Sequence, residues 1–169
     1  MQKLSVIGCG NPNRSDDGAG VYVAQALLRQ YAAPPLTVGE ASAVPRQVCI
    51  YDAGTAGMDV MFQAKGSDTL ILVDASCSQS APGSIFEVPG EEVENIPEPG
   101  YNLHDFRWDH ALYAGRRIFQ QSFPQNITVY LIEAGSLDFG LELSEAVKES
   151  ADRVVDRIKQ RIDSYLHAA

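Results

Sequence analysis

Apolar runs typical of buried strands alternate with amphipathic helical patterns along the chain, and this alternation is what most limits its fold. Strands are predicted at Leu4–Ile7, Gln47–Tyr51, Thr69–Val73, Ser84–Val88 and Asn126–Glu133, and helices at Ser15–Tyr31, Met58–Met61, His104–Gln120 and Leu143–Ile162. Alternating strands and helices imply a mostly parallel sheet with helices on both faces and right-handed crossovers. We therefore predict one three-layer α/β domain over residues 1–169, with Thr69–Val73 as its central strand.

Two segments carry weaker patterns. Leu36–Pro45 is predicted to be an irregular strand and loop. Pro89–Tyr101 is acidic and rich in proline and glycine, which predicts a surface loop.

The charge of the chain restricts its partners. The net charge is −9 and the sequence pI is about 4.7, which argues against nucleic acid and against anionic membranes. No apolar run approaches the roughly 20 residues of a membrane span. The first residues lack the length and the cleavage site of a signal peptide, so we expect a cytoplasmic protein with no membrane partner.

The cysteines suggest neither a disulfide framework nor a zinc site. Cys9, Cys49 and Cys77 are odd in number and widely spaced, and no CxxC pair occurs. We therefore predict buried, reduced thiols without a catalytic role.

Several familiar active-site motifs are absent. Gly8-Cys9-Gly10 is followed by Asn13 where a dinucleotide fingerprint has its third glycine, and no phosphate-binding loop ending in Gly-Lys-Ser or Gly-Lys-Thr occurs. Neither HExxH nor GxSxG is present. No motif pairs a serine, cysteine or threonine nucleophile with a base.

Polar residues collect where the predicted strands end. Asp17 follows the turn after the first strand, Asp74 directly follows Thr69–Val73, and His104 begins a helix. In open α/β sheets such strand ends meet at one edge, and two carboxylates with an imidazole suit a divalent transition metal. Their spacing does not distinguish nickel, zinc or manganese.

Each of these residues also has a structural explanation. Asp17 in a first helical turn would interact favourably with the helix dipole, and a histidine is often hydrogen-bonded within the fold. Asp74 is harder to explain in this way, because a carboxylate after an apolar strand is costly unless it is paired. His110 lies about 240° around a regular helix from His104, so we expect it to serve packing or hydrogen bonding instead.

Three segments together resemble one enzyme family. Gly8–Gly20 is similar to the N-terminal signature of hydrogenase maturation endopeptidases, roughly GxGNxxxxDDGxG. Asp52–Gly57 resembles the family's second motif, with Ala53 in place of a glycine. The strand that ends in Asp74-Ala75 resembles the third motif, and His104 completes the pattern.

This resemblance implies a function and a set of site residues. It implies that Asp17, Asp74 and His104 bind metal and act in catalysis, and that Asp52, Gly54 and Thr55 recognise the substrate. The implied substrate is the precursor of a nickel–iron hydrogenase large subunit. The precursor itself would supply the nickel, although the same ligands suit other divalent metals, and its C-terminal extension would be removed.

Three questions stay open at this level. Asp16 is either a general base or a helix cap. A non-catalytic assembly factor that senses nickel in a client would use the same metal residues. A small nucleotide-binding regulator would also fit the sheet, although the missing third glycine argues against it.

Overall fold

The computed structural model describes residues 2–31, 46–96 and 107–167, and it contains one mostly parallel sheet. The strands are β1 (Gln2–Cys9), β2 (Arg46–Gly54), β3 (Thr69–Ser76), β4 (Ile85–Pro89) and β5 (Asn126–Glu133). Their order is β2-β1-β3-β5-β4, and only β4, at one edge, pairs antiparallel. The predicted central position of β3 is confirmed.

Helices cover both faces of this sheet. They are α1 (Ala19–Gln30), α2 (Gly57–Ala64), α3 (Gly90–Val93), α4 (Trp108–Phe119) and α5 (Glu145–His167), with 3₁₀ helices at Ser15–Gly18 and Gln120–Ser122. Helices α1 and α5 share one core with the sheet, and α2 and α4 share a second core with the opposite face. The predicted three-layer α/β architecture is thereby confirmed. Among the described residues, no helix has the length and apolar character needed to cross a membrane.

Some predicted boundaries were wrong. Strand β3 continues through Asp74 to Ser76, because Asp74 still pairs with Leu131 and Ser76 with Glu133 of β5. Part of the predicted surface loop forms the short helix α3, where Gly90 packs so closely on Ile127 that a side chain would not fit. The described part of α4 begins at Trp108, whereas His104 and the Leu36–Pro45 segment lie outside the described residues.

The strand order places a crevice between β1 and β3. The connection that leaves the carboxyl end of β1 leads to β2 on one side, and the connection that leaves the carboxyl end of β3 leads to β4 and β5 on the other side. The two connections therefore diverge above this pair of strands, which is where α/β sheets commonly bind ligands. Gly20 of α1 lies against the carbonyl oxygens of Cys9 and Val73 and leaves no room for a Cβ atom, so α1 packs tightly beside the crevice.

Candidate active site

A cleft of about 700 Å³ opens at the carboxyl ends of β1, β2 and β3. Its walls are the turn after β1, the end of β2, the loop after β3 and the first residues of α4. Asp17 and Asp74, which the sequence predicted to converge, both line it.

Asp74 is a buried carboxylate with two hydrogen-bond donors. The indole Nε1 of Trp108 donates to its Oδ2 over 2.6 Å, and the amide of Ala75 donates to its Oδ1 over 2.8 Å. Burial nevertheless outweighs these hydrogen bonds and, together with a smaller contribution from the charge of Asp17, raises the pKa of Asp74 to about 6. A cation in the cleft would relieve this unfavourable charge.

Asp17 lines the same cleft. The amide of Asn11 donates to its Oδ2 over 3.2 Å, so its described bond is to the turn after β1. Gly10 makes this approach possible with a φ of +128°, and a Cβ there would overlap the carbonyl oxygen of Asp17 and lie 3.4 Å from Asp74 Oδ1. The glycine turn thus brings the two carboxylates to one place.

The predicted third ligand, His104, lies outside the described residues. Among residues 2–31, 46–96 and 107–167, no three His, Cys, Asp or Glu side chains are grouped so that they could hold a metal ion. His110 is buried, and its Nδ1 accepts the backbone N–H of Arg107 over 3.3 Å at the start of α4. The prediction that His110 serves hydrogen bonding within the fold is confirmed.

The end of β2 contributes two of its three predicted recognition residues to the cleft. Gly54 and Thr55 line it, and the carbonyl of Gly54 accepts the amide of Gly10 over 2.9 Å. Asp52 is exposed and accepts hydrogen bonds from the Gln25 side chain (3.0 Å) and the Gly54 amide (3.1 Å). Its carboxylate therefore supports the turn that presents Gly54 and Thr55.

Asp16 does not cap the 3₁₀ helix that contains it or the helix α1 that follows, because no side-chain hydrogen bond caps either of them. Its buried carboxylate accepts the amides of Gly135, Ser136 and Ser144 over 2.6–3.0 Å, and also the hydroxyl of Ser144. Burial raises its pKa, but these hydrogen bonds lower it more, and the pKa lies below its usual value. A carboxylate saturated by donors is a poor base, and its partners belong to the loop before α5 rather than to α1.

Glu133 is a site-organising residue that the sequence interpretation missed. It ends β5, is buried, and accepts hydrogen bonds from the Ser76 hydroxyl and from the amides of Ser78 and Ser80. These bonds shape the loop after β3 that forms one wall of the cleft. The signal was available, since Glu133, like Asp74, follows an apolar strand.

Arg107 and Trp108 were also missed. The Arg107 guanidinium is exposed at the cleft, 3.7 Å from the carboxylate of Asp109, and its charge lowers the pKa of Asp74. Trp108 is buried and orients Asp74. In the sequence they stand beside His104-Asp105-Phe106, and nothing in their local pattern indicates the contact with β3.

The cysteines are free, as predicted. The prediction that all three are buried was wrong, because Cys77 is exposed on the loop that follows β3 and Cys49 is half-buried. Cys9 is buried beside the cleft, and burial raises its pKa well above the usual value, with Asp74 and Asp52 adding to the effect. A thiol held protonated in this way is a weak nucleophile.

For the cleavage activity that the resemblance implies, we expect Cys9→Ala to keep the rate within about twofold of wild type and to lose about 1 kcal/mol of stability with the lost packing. Steady-state cleavage and urea unfolding would measure the two effects. An inactive variant with an intact fold would overturn the inference that Cys9 has no catalytic role.

Comparison with known proteins points to one family. The family of hydrogenase maturation proteases matches residues 21–161 of this chain. The Hydrogenase 2 maturation protease of Escherichia coli is 27% identical over 157 residues, which cover 92% of this chain and 88% of that protein. The hydrogenase expression/formation protein HoxM of Cupriavidus necator is 24% identical over 153 residues, which cover 89% of this chain and 69% of that protein.

Solved structures agree with the sequence relatives. The hydrogenase maturating endopeptidase HybD from E. coli has a TM-score of 0.75 at 28% identity, covering 97% of this chain and 93% of that chain. The [NiFe] hydrogenase maturation protease HycI from Thermococcus kodakarensis has a TM-score of 0.66, covering 94% of this chain and 91% of that chain. Its identity of 20% supports the fold alone.

Proposed function

The chain belongs to the hydrogenase maturation protease family, a family of peptidases that process hydrogenases, and we propose that its substrate is a nickel-loaded large-subunit precursor. In this proposal the enzyme recognises nickel already inserted into the precursor of a nickel–iron hydrogenase. It then removes a C-terminal extension of that precursor. The cytoplasmic location stays a prediction from the sequence.

The observation that carries the proposal is the pair of carboxylates in the cleft. Asp17 and Asp74 both line it, and the pKa of Asp74 is raised by burial, so a cation between them would be stabilised. Carboxylate oxygens and an imidazole suit divalent transition metals. We propose that Asp17, Asp74 and His104 bind the nickel of the precursor.

The chain's own residues would prepare this site before the substrate arrives. Trp108 and the Ala75 amide fix the orientation of Asp74, and the Asn11 amide holds Asp17. Nickel bound by the precursor would supply a Lewis acid for the scissile carbonyl. Gly54 and Thr55 line the same cleft, so we assign them to contact with the precursor, with Asp52 as their support.

We expect the purified protein to shorten the nickel-loaded precursor and to leave the nickel-free precursor intact. Mass spectrometry of the precursor would show the loss of a C-terminal fragment, and a zinc-loaded precursor would test the choice of metal. Binding of the nickel-loaded precursor without any mass loss would instead support a non-catalytic nickel sensor. Equal cleavage of the nickel-free precursor would refute nickel recognition.

A histidine pair gives a matched control for the proposed third ligand. We expect His104→Ala to stop cleavage. His167→Ala should not, because His167 is exposed at the end of α5 and its Nδ1 contacts the carbonyl of Asp163. Wild-type activity of His104→Ala would remove His104 from the site.

A further inference from the structure

An exposed apolar loop stands beside the cleft. Between β5 and α5, Phe139 is 90% exposed, Leu141 is 82% exposed and Leu137 is 36% exposed. Isolated apolar side chains on a surface are ordinary, but three within five residues form a local patch of the kind that binds other molecules. We call Leu137, Phe139 and Leu141 the apolar loop.

The backbone of the apolar loop is tied to the turn that follows β1. The amide of Ser15 donates to the carbonyl of Gly140 over 2.8 Å, and the amide of Gly140 donates to the carbonyl of Asn13 over 3.1 Å. The Ser15 hydroxyl donates to the carbonyl of Glu142 over 3.0 Å. The loop therefore has a defined position relative to Asp17, which lies with Ser15 in the 3₁₀ helix Ser15–Gly18.

Side chains reinforce this arrangement. Asp16 binds the loop at Gly135, Ser136 and Ser144, as described above. The guanidinium of Arg14 donates to the carbonyl of Leu137 and lies 5.7 Å from the centre of the Phe139 ring. An apolar group held in place while exposed to water loses little further conformational entropy when it binds a partner.

The apolar loop lies between two cavities. Leu137 lines the cleft that contains Asp17 and Asp74, whereas Leu141 lines a second cavity of about 350 Å³ beside α1. A polypeptide that leaves the cleft past Leu137 would therefore pass next over Phe139 and Leu141. This continuity with the cleft favours the substrate as the molecule that covers the loop.

We propose that the apolar loop docks an apolar segment of the hydrogenase precursor next to the scissile peptide. This inference rests on the proposed function, because it takes the precursor as the occupant of the cleft. The loop is uncharged at its three contact positions, so the segment it selects is apolar. Docking at the loop does not involve the carboxylates and is therefore independent of nickel.

The test compares two matched double variants. Phe139→Ser with Leu141→Ser removes the loop's most exposed side chains. Phe62→Ser with Ile118→Ser removes two other exposed apolar side chains, from the carboxyl-terminal turns of α2 and α4 (56% and 60% exposed). The latter two residues lie near Gly66 and Ser122, towards the amino end of β3 and away from the cleft.

For the loop variant we expect KM for the nickel-loaded precursor to rise about tenfold or more, as for a binding hot spot, with kcat within about twofold. The control variant should match wild type in both constants. An unchanged KM in the loop variant, or an equal rise in the control, would overturn the docking role.

A binding measurement separates this inference from the proposed function. The dissociation constant for the nickel-free precursor should weaken about tenfold in the loop variant. If the wild-type protein bound the nickel-loaded precursor but did not cut it, the proposed function would fail. The dissociation constants for the nickel-free precursor would still decide whether the apolar loop docks it. An unchanged dissociation constant, or light scattering showing that the loop instead joins two copies of the chain, would overturn docking.

Discussion

Asp74→Asn is expected to abolish precursor cleavage and, at the same time, to make the free protein more stable at pH 8. The loss of activity follows from the proposed role of Asp74 as a nickel ligand. Removal of a partner that only supports a metal ligand lowers metal affinity or activity about 10–100-fold. Loss of the ligand itself should therefore lower the activity by more than about 100-fold. The asparagine keeps the shape of the side chain, so the fold should be retained.

The gain in stability follows from the sign of the pKa change. The pKa of Asp74 is about 6 in the folded protein and 3.8 for the ordinary carboxyl, so the folded protein holds this proton more tightly. Binding of this proton stabilises the folded protein. The stabilisation is fully present below pH 3.8 and is lost as the pH rises through about 6. At pH 8 the buried charge therefore costs about 3 kcal/mol, at about 1.4 kcal/mol for each pH unit between the two values.

Asparagine avoids this cost, and like the protonated carboxyl it presents one donor group towards Ala75 or Trp108, so its further loss relative to that neutral form is about 1 kcal/mol. We therefore expect Asp74→Asn to be about 2 kcal/mol more stable than wild type at pH 8. The advantage should disappear towards pH 4. Urea unfolding at both pH values would measure it.

Asp156→Asn provides the control, because Asp156 is an exposed carboxylate on α5. Because this carboxylate is exposed and not buried, Asp156→Asn should lack the gain in stability that we expect for Asp74→Asn at pH 8. An Asp74→Asn variant that was less stable than wild type at pH 8 would show that a favourable interaction of the charged carboxylate outweighs its burial.

The fold was predictable because its signals are local. The apolar run Asn126–Glu133 corresponds to β5 residue for residue, and the helical spacing from Val147 to Ile162 marks the buried face of α5. Convergence of Asp17 and Asp74 could also be predicted, since parallel strands place their carboxyl ends at one edge. The boundaries that failed, such as the end of β3, depended on pairing with another strand.

The contacts that prepare the site could not be predicted in this way. Trp108 reaches Asp74 across 34 residues of sequence, and Ser144 reaches Asp16 across 128. No local pattern indicates which distant loop will supply a donor. Asp16 and Asp17 are adjacent and chemically identical, yet one is buried under loop amides and the other lines the cleft.

Because of this contrast, we expect Asp16→Asn to lower the free energy of unfolding by about 2–5 kcal/mol. Asp17→Asn should lower it by less than about 1 kcal/mol. An amide at position 16 turns one acceptor oxygen into a donor that faces the amides of Gly135 and Ser136 or of Ser144. Hydrogen bonds to a charged group contribute about 1.5–3 kcal/mol each, and a buried donor left without an acceptor adds a penalty. At position 17 the described loss is a single bond from Asn11.

The activities of these two variants should differ in the opposite sense. Asp17→Asn should fold normally and fail to cleave, because it loses a proposed nickel ligand. Asp16→Asn should keep kcat but show a raised KM, because the apolar loop is no longer held beside the cleft. Hydrogen exchange of the amides at Gly135, Ser136 and Ser144 should become faster in Asp16→Asn and stay unchanged in Asp17→Asn. Unchanged exchange in Asp16→Asn would show that Asp16 does not hold this loop.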